Sequence, residues 1–426
     1  MNHEALLGAA LAGTTVLECG DARAEFGGLL LASMGADVIR LEGPRGSHSR
    51  HVGPFTTPEP DPEHSLCFSR YNLGKRSVCL DRESPEGRAA FERLARRAGL
   101  ILDSGEASEV ESRLGLYREL RTANPSLIVC TLTPFGLDGP WRDLKMTDLT
   151  HLALGGVMMS CGYDPRPDGV YDTPPIAPAM WQAYHIACEH AVIAILAALN
   201  FRELTGAGDL IDVSIHEAVS ICTEVAIPTY IYNQALVRRQ TGRHAAEGVS
   251  RPWLRATKDG RYVKAFMFWS ARERRVIAEM MTEAGLEHDL NSDAYRELAE
   301  RAPAEAATHF STAIDRLCAA LTAEEIFHRA QAKGLLWASV RYPEENLDDP
   351  HFQARGTFQP ITHPELGRDL QYPVSVGTDG HDRVTGFTRG APRLGEHTAA
   401  VLAEAGLSTA EIDTLINANV ASSRNR

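Results

Sequence analysis

His185 and Glu189 lie four residues apart in QAYHIACEHAVIAILAAL, a spacing that sets an imidazole and a carboxylate on one helix face. An imidazole titrates near neutrality and can serve as a general base, and a nearby carboxylate can hold it or move the proton itself. The plainer reading of the two is a structural helix pair. Asp172, in the loop before Thr173-Pro174-Pro175, is a third acid that could reach such a site, although an Asp at that place is usually a turn residue. Lys75-Arg76 is the clearest compact positive site in the amino-terminal part. It suits a phosphate contact or a solvated strand edge equally well.

These residues need elements to position them. From 180 to 204 the chain has no Gly or Pro and is rich in Ala, Leu and Ile, which predicts a long, largely buried helix stopped at Thr205 and Gly206. Its first turn presents unpaired N–H groups and a positive dipole end, so an anionic group near Gln182 to His185 would be stabilised there. Residues 210–214 read as a short strand, after which Ser214 and His216 open another helix with Glu217 in its first turn.

A length of 426 residues implies two domains or one interrupted domain, and 44% hydrophobic with 23% charged residues is ordinary for a globular chain. The net charge of -13, with no Lys/Arg-rich run, argues against nucleic acid as a partner. A small anionic ligand stays compatible, because screening over roughly 8 Å isolates a local basic pocket from distant acids. The eight cysteines are scattered without CxxC spacing and read as reduced thiols, with neither a disulfide framework nor a metal site. The apolar run at 6–12 is short and no Lys or Arg precedes it. No signal peptide, membrane partner or membrane span is expected, and the location expected is cytoplasmic.

In chain order, residues 15–19, 26–34 and 36–41 form a β-α-β unit, which implies a parallel sheet with ligands beyond the carboxyl ends of its strands. The turn after the first strand reads Gly20-Asp21-Ala22-Arg23-Ala24 rather than GxGxxG, so NAD and FAD are disfavoured. Residues 46–64 should be a surface loop. Strands are predicted at 78–80, 100–102 and 127–132, with a helix after Ser84-Pro85 and another at 109–114. Further on, 258–261 reads as a hairpin turn between strands 253–256 and 262–266, residues 292–322 as helical, and the tail after Asn417 as frayed.

Six motifs occur in one order: ECG with MGADVIRLE, NLGKRSVCLD with SPEGR, FGxxGP, ILAALxxRxxTGxG with IDVSIHEA, DDPHFQARGTF, and APRLGEHT. Together they resemble the family III CoA-transferases, the CaiB/BaiF family, over about 15–415. The resemblance implies an α/β fold: a Rossmann-like large domain formed by both chain ends plus a smaller α+β middle domain, in an interlocked dimer. The first large-domain segment would be 1–200, the linker 201–230, the small domain 231–340 and the returning segment 341–426. The substrates implied are coenzyme A carried as acyl-CoA and a small carboxylic acid, with no metal, NAD or FAD. The partner would be a second copy or an Asp-containing paralogue.

In that family one Asp at the start of the long helix attacks the acyl-CoA thioester, and a mixed anhydride and then an enzyme-bound CoA thioester follow. Aligning forward from Pro174-Pro175 or backward from ILAAL at Ile195 puts Tyr184 at that position. A phenol with a pKa of about 10 is neutral at pH 7 and would give a far less activated ester. His185, Glu189 and Asp172 are the candidate substitutes, though Glu189 is turned about 140° away on an ideal helix. The same resemblance places CoA contacts at Lys145, Asp148 and Arg113. It finds Asp103-Ser104-Gly105-Glu106 where relatives have an acidic-Asn-aromatic cluster, and Thr147 at the racemase branch's His position, which disfavours racemisation. Met158, Met159, Met180 and Trp181 near the expected acyl pocket suggest a large or aromatic substrate, or simply core. The leading expectation is a transferase, with this chain acting alone or as the Asp-lacking subunit of a heteromer; the alternatives are a CoA-thioester lyase, hydratase or isomerase, and a non-catalytic CoA-binding subunit.

Overall fold

A computed structural model of the chain describes residues 10–223, 225–363, 368–373, 386–387 and 389–423. Most of the apolar run at 6–12 and the last three residues fall outside them. The chain divides into two units: Met1–Val157, Ala179–Cys222 and Leu347–Arg426 form the first, Met158–Pro178 and Thr223–Asn346 the second.

The first unit alternates short apolar strands with helices, as the sequence predicts. Its elements are β1 Thr15–Glu18, α1 Glu25–Ser33, β2 Asp37–Glu42, α2 Leu66–Tyr71, β3 Arg76–Leu80, α3 Pro85–Ala95, β4 Leu100–Ser104, α4 Ala107–Ala123, β5 Ile128–Thr133 and α5 Asp148–Leu154. Then come α6 Gln182–Thr205, β6 Leu210–Ser214 and α7 Ile215–Ile221. Every residue of β4 and β5 is buried, which is what a parallel strand covered on both faces requires. Ser84 and Ser214 cap the helices they precede, each accepting from the backbone N–H three residues on.

The second unit carries α8 Ala226–Asn233 and the short ribbon β7 Arg238–Gln240 with β8 Arg243–Ala246. Next, β9 Leu254–Ala256 and β10 Tyr262–Ala265 form the predicted hairpin. The helices α9 Ala271–Glu283, α10 Asp293–Arg301, α11 Pro303–Ala320 and α12 Ala323–Ala332 follow, and β11 Trp337–Ser339 completes a three-stranded antiparallel sheet. Ile277, Met281, Leu317 and Trp337 are fully buried in its core.

The returning segment of the first unit has α13 Pro350–Arg355, the antiparallel pair β12 Phe358–His363 and β13 Arg368–Pro373, α14 Thr398–Glu404, α15 Thr409–Asn417 and β14 Ala421–Ser422. The sheet order is β14-β3-β2-β1-β4-β5-β6, parallel except for β14. Strand order reverses between β1 and β4, which opens a crevice at their carboxyl ends. The tail expected to fray instead adds this last strand, because Ala421 and Ser422 pair with the otherwise open edge at Leu80 and Cys79.

Two further expectations change. The loop at 46–64 contains a 3-10 turn, His48–His51, and buries Ser47, Ser49 and Arg50, since Arg50 neutralises the buried Glu42 at 2.7 Å. The long helix α6 is buried on one face only: Ala183, Ala187, Cys188, Ala191 and Ile195 pack inward, while Ile193, Leu196, Phe201 and Leu204 are exposed. Its sequence is apolar nearly all round, so periodicity could not say which face the sheet covers. Gly206 ends it at φ 76°, a left-handed turn that glycine adopts without strain.

Candidate active site

Beneath the crevice lies a buried charge network. Arg40 pairs with Glu18 at 2.7 Å and Glu25 at 3.1 Å, and Lys75 pairs with Glu18 at 2.7 Å. The Lys75 ammonium also donates to the Glu25 carbonyl at 2.9 Å and Asn72 Oδ1 at 3.0 Å. Burial lowers its pKa, and Glu18 and Glu25 oppose that shift. Fully buried and ringed by three oxygens, Lys75 is neither a solvated strand edge nor placed to meet a phosphate. Gly28 makes room for this pair: a Cβ there would lie 1.7 Å from Glu18 Oε2. Arg76 points outward and pairs with Asp37 and Glu404 at the surface. Burial alone would raise the pKa of Glu42, but the hydrogen bond and charge of Arg50 hold it down at about 2.

The first turn of α6 carries Tyr184 and His185. The Tyr184 N–H donates to Asp148 Oδ1 at 3.1 Å, so Asp148, itself buried, serves as an acceptor for the free N–H groups of this helix end. Burial raises the Asp148 pKa, and the backbone donors of Tyr184 and Ala183 oppose it. Trp181, in a left-handed conformation at φ 62°, stacks on Tyr184 with ring centroids 5.5 Å apart. Burial raises the pKa of the Tyr184 phenol, Arg23 works against that rise, and the net shift is upward. The phenol is therefore neutral at pH 7.

His185 takes Tyr71 as its partner, Nε2 to Oη 2.9 Å, and lies against Phe26 with centroids 4.1 Å apart. Burial, with the charge of Arg70, pushes its imidazole down to about 4. Glu189 is exposed on α6, and the helix pairing it with His185 that spacing suggested gives way to the Tyr71 contact. Asp172 is exposed in the second unit, which also holds Met158 and Met159. Met180 is exposed, Lys145 is exposed, and Thr147 caps α5 by accepting from the Thr150 N–H. The cavity bounded by Ala22, Phe26, Val52, Tyr71, Trp181 and Tyr184 has about 10 Å³, the room of one water.

At the crevice itself, Arg23 pairs with Asp21 at 2.9 Å and with Glu106 at 2.5 Å, joining the turns after β1 and β4. Sequence reasoning passed over this bridge, although Asp21 and Arg23 in the first turn were its visible signal. Arg113 is held in a fork by Asp103, Nε to Oδ2 2.7 Å and Nη2 to Oδ1 3.0 Å, and Tyr117 Oη donates to the same carboxylate at 2.8 Å. Arg113 therefore reaches the crevice already partnered, with part of its side chain exposed.

Behind this site His151 is fully buried, its ring 6.2 Å from His216 and 5.8 Å from Phe135, and neither ring nitrogen has a hydrogen-bond partner among the described residues. Burial, with the charges of His216 and Arg23, pushes it down to about 4. Between pH 6.5 and about 4 the unfolded chain binds a proton at His151 that the folded chain does not, so stability falls as pH drops through that window. Replacing His151 with leucine should flatten the acid limb by about 2–3 kcal/mol, measured as urea midpoints at pH 7 and pH 4.5.

With this geometry in view, comparison with known proteins gives one answer. Residues 11–398 match CoA-transferase family III. The chain is 32% identical over 395 residues to succinyl-CoA:(R)-benzylsuccinate CoA-transferase subunit BbsE of Thauera aromatica, covering 91% of this chain and 92% of that one. It is 29% identical over 401 residues to the succinyl-CoA--L-malate CoA-transferase beta subunit of Chloroflexus aurantiacus, covering 92% and 93%. A crystal structure of a CAIB/BAIF family protein from Brucella suis shares the fold, with TM-score 0.74, 23% identity and coverage of 93% and 99%. The chain thus belongs to CoA-transferase family III, and its substrates are a CoA thioester and a carboxylic acid between which CoA is transferred.

Proposed function

We propose that this chain is the Asp-lacking subunit of a heteromeric, interlocked CoA-transferase, completed by a paralogue that presents an aspartate where Tyr184 stands. The observation that carries the reading is the neutral, buried Tyr184 phenol beside Arg23, facing a cavity of one water rather than an acyl pocket. Both relatives described above are named as subunits, and both names give succinyl-CoA as the donor, which we take as the donor here. Lys145, which is exposed, and Arg113, which is partly exposed, remain the groups suited to CoA phosphates.

In the assembled enzyme the paralogue's carboxylate attacks the thioester carbon and the CoA thiolate leaves, giving a mixed anhydride. The thiolate then attacks the aspartyl carbonyl and releases the donor acid. The acceptor carboxylate attacks the resulting aspartyl thioester, and the returning thiolate takes the acceptor acyl group and frees the aspartate.

Asp148 supports a second reading, a chain that is catalytic by itself, because this carboxylate of α5 accepts the Tyr184 N–H at the start of α6 and burial raises its basicity. The two are separated by incubating the purified chain with succinyl-CoA and hydroxylamine. No label on the chain alone, with transfer regained on adding the paralogue, supports the heteromer; a hydroxamate at Asp148 overturns it.

A further inference from the structure

A larger cavity of the first unit, about 640 Å³, lies where α2 and the β12–β13 hairpin contribute its wall. It shares no lining residue with the small cavity at Tyr184. Several of its charged groups are satisfied internally: Arg50 and Lys75 are paired, and Glu63 and Glu396 accept the backbone N–H groups of Leu394 and Arg393. Others are not. His363 lines the cavity, is 7% exposed, and its Nε2 has no hydrogen-bond partner among the described residues. Arg389 also lines it and, among the described residues, donates only to the Gly74 carbonyl, at 3.1 and 3.0 Å; Asp37 and Glu396 act on its charge without an ion pair to either.

Behind His363 the same deficit continues. The Tyr372 ring lies tilted at 5.5 Å from it, and Tyr372 Oη is buried with no hydrogen-bond partner among the described residues, Ser69 being the polar group beside it. Next to Ser69 in sequence, Arg70 has a buried Nη1 with no partner, and tyrosines rather than carboxylates are the groups that act on its charge. A desolvated guanidinium without an acid is costly, and a row of unpaired donors that leads to a cavity is a place for an anion.

We propose that this cavity is a second anion site that takes a small dicarboxylate, contacted by His363 and Arg389, with Arg70 positioning it through Tyr372. A carboxylate fits better than a point-like anion because the guanidinium fork of Arg389 matches its two oxygens, and the volume admits a chain with a second carboxylate. Carboxylic acids are also what the known reaction consumes and releases, so the site would sense substrate or product away from the reacting centre. The inference goes beyond the heteromer reading and needs no transfer activity.

The test is calorimetry of the full chain with succinate, butyrate and inorganic phosphate, alongside its mass in solution by light scattering. Succinate should bind, butyrate at least tenfold more weakly. Arg389→Gln and His363→Asn should each weaken succinate at least tenfold, Arg70→Gln several-fold, and the surface variant Arg166→Gln not at all. Should Arg70→Gln fail to fold, Tyr372→Phe replaces it with the same several-fold expectation. Phosphate binding in place of succinate would overturn the dicarboxylate. No anion binding, with Arg70→Gln changing only the oligomeric mass, would assign the unpaired cations to a partner subunit and overturn the site.

Discussion

On the heteromer reading, phenylalanine in place of Tyr184 is expected to leave CoA transfer by the assembled enzyme within about twofold, whereas alanine at the aligned aspartate of the proposed paralogue should cut kcat by at least about 10⁴-fold. The phenol hydroxyl is neutral, buried and turned toward Arg23, so its removal deletes no charge that forms in the reaction. Loss of a covalent nucleophile, by contrast, removes the step that divides one difficult transfer into easier ones. Steady-state kinetics on the two purified heteromers measures both numbers. A collapse of kcat with Tyr184→Phe would mean that the phenol takes part in the chemistry.

The second large effect concerns stability. Glu18→Leu should destabilise the fold by about 3–5 kcal/mol, because it leaves the buried Lys75 ammonium with backbone and amide oxygens but no acid, and takes one of the two carboxylates from Arg40. Adding Lys75→Met in the same chain should recover a large part of that loss, since two apolar groups of similar length then replace the pair. The pH dependence has a definite sign. Burial depresses the folded-state pKa of Lys75, more so without Glu18, while the unfolded lysine holds its proton up to about 10.5. The deficit of Glu18→Leu should therefore narrow as pH rises from 7 toward 9.5. Guanidinium unfolding across that range reads it, and a double variant no more stable than Glu18→Leu would remove the network from the account of this fold.

The site was partly legible in advance. The helix from Gln182, its stop at Gly206, the strand Leu210–Ser214 and the Ser214 cap all follow from apolar runs, breakers and capping residues that act within a few positions. The expectation that Tyr184 stands at the family's nucleophile position rests on two flanking motifs. The burial of Lys75 is not legible locally, because the acid it pairs with, Glu18, lies on β1, and a basic dipeptide looks the same whether it faces water or a buried carboxylate. Glu189 was tied to His185 by helix spacing, yet a hydroxyl 114 positions away took the imidazole, since burial favours a neutral ring with a neutral partner.

The order and kind of the elements, the parallel β-α-β course of the amino-terminal half and the family motifs were legible in the sequence alone. These rest on patterns with periods of two to four residues, or on short motifs, which the chain carries wherever it folds. Only the tertiary structure decided which charges are consumed inside and which face a ligand. Arg23 closes on Glu106 across 83 positions, and Arg50 reaches the Pro392 carbonyl across 342, while Arg70 and Arg389 form no ion pair among the described residues. The free energy of a charge depends on its solvent exposure and its partners in space, and neither is a property of its neighbours along the chain.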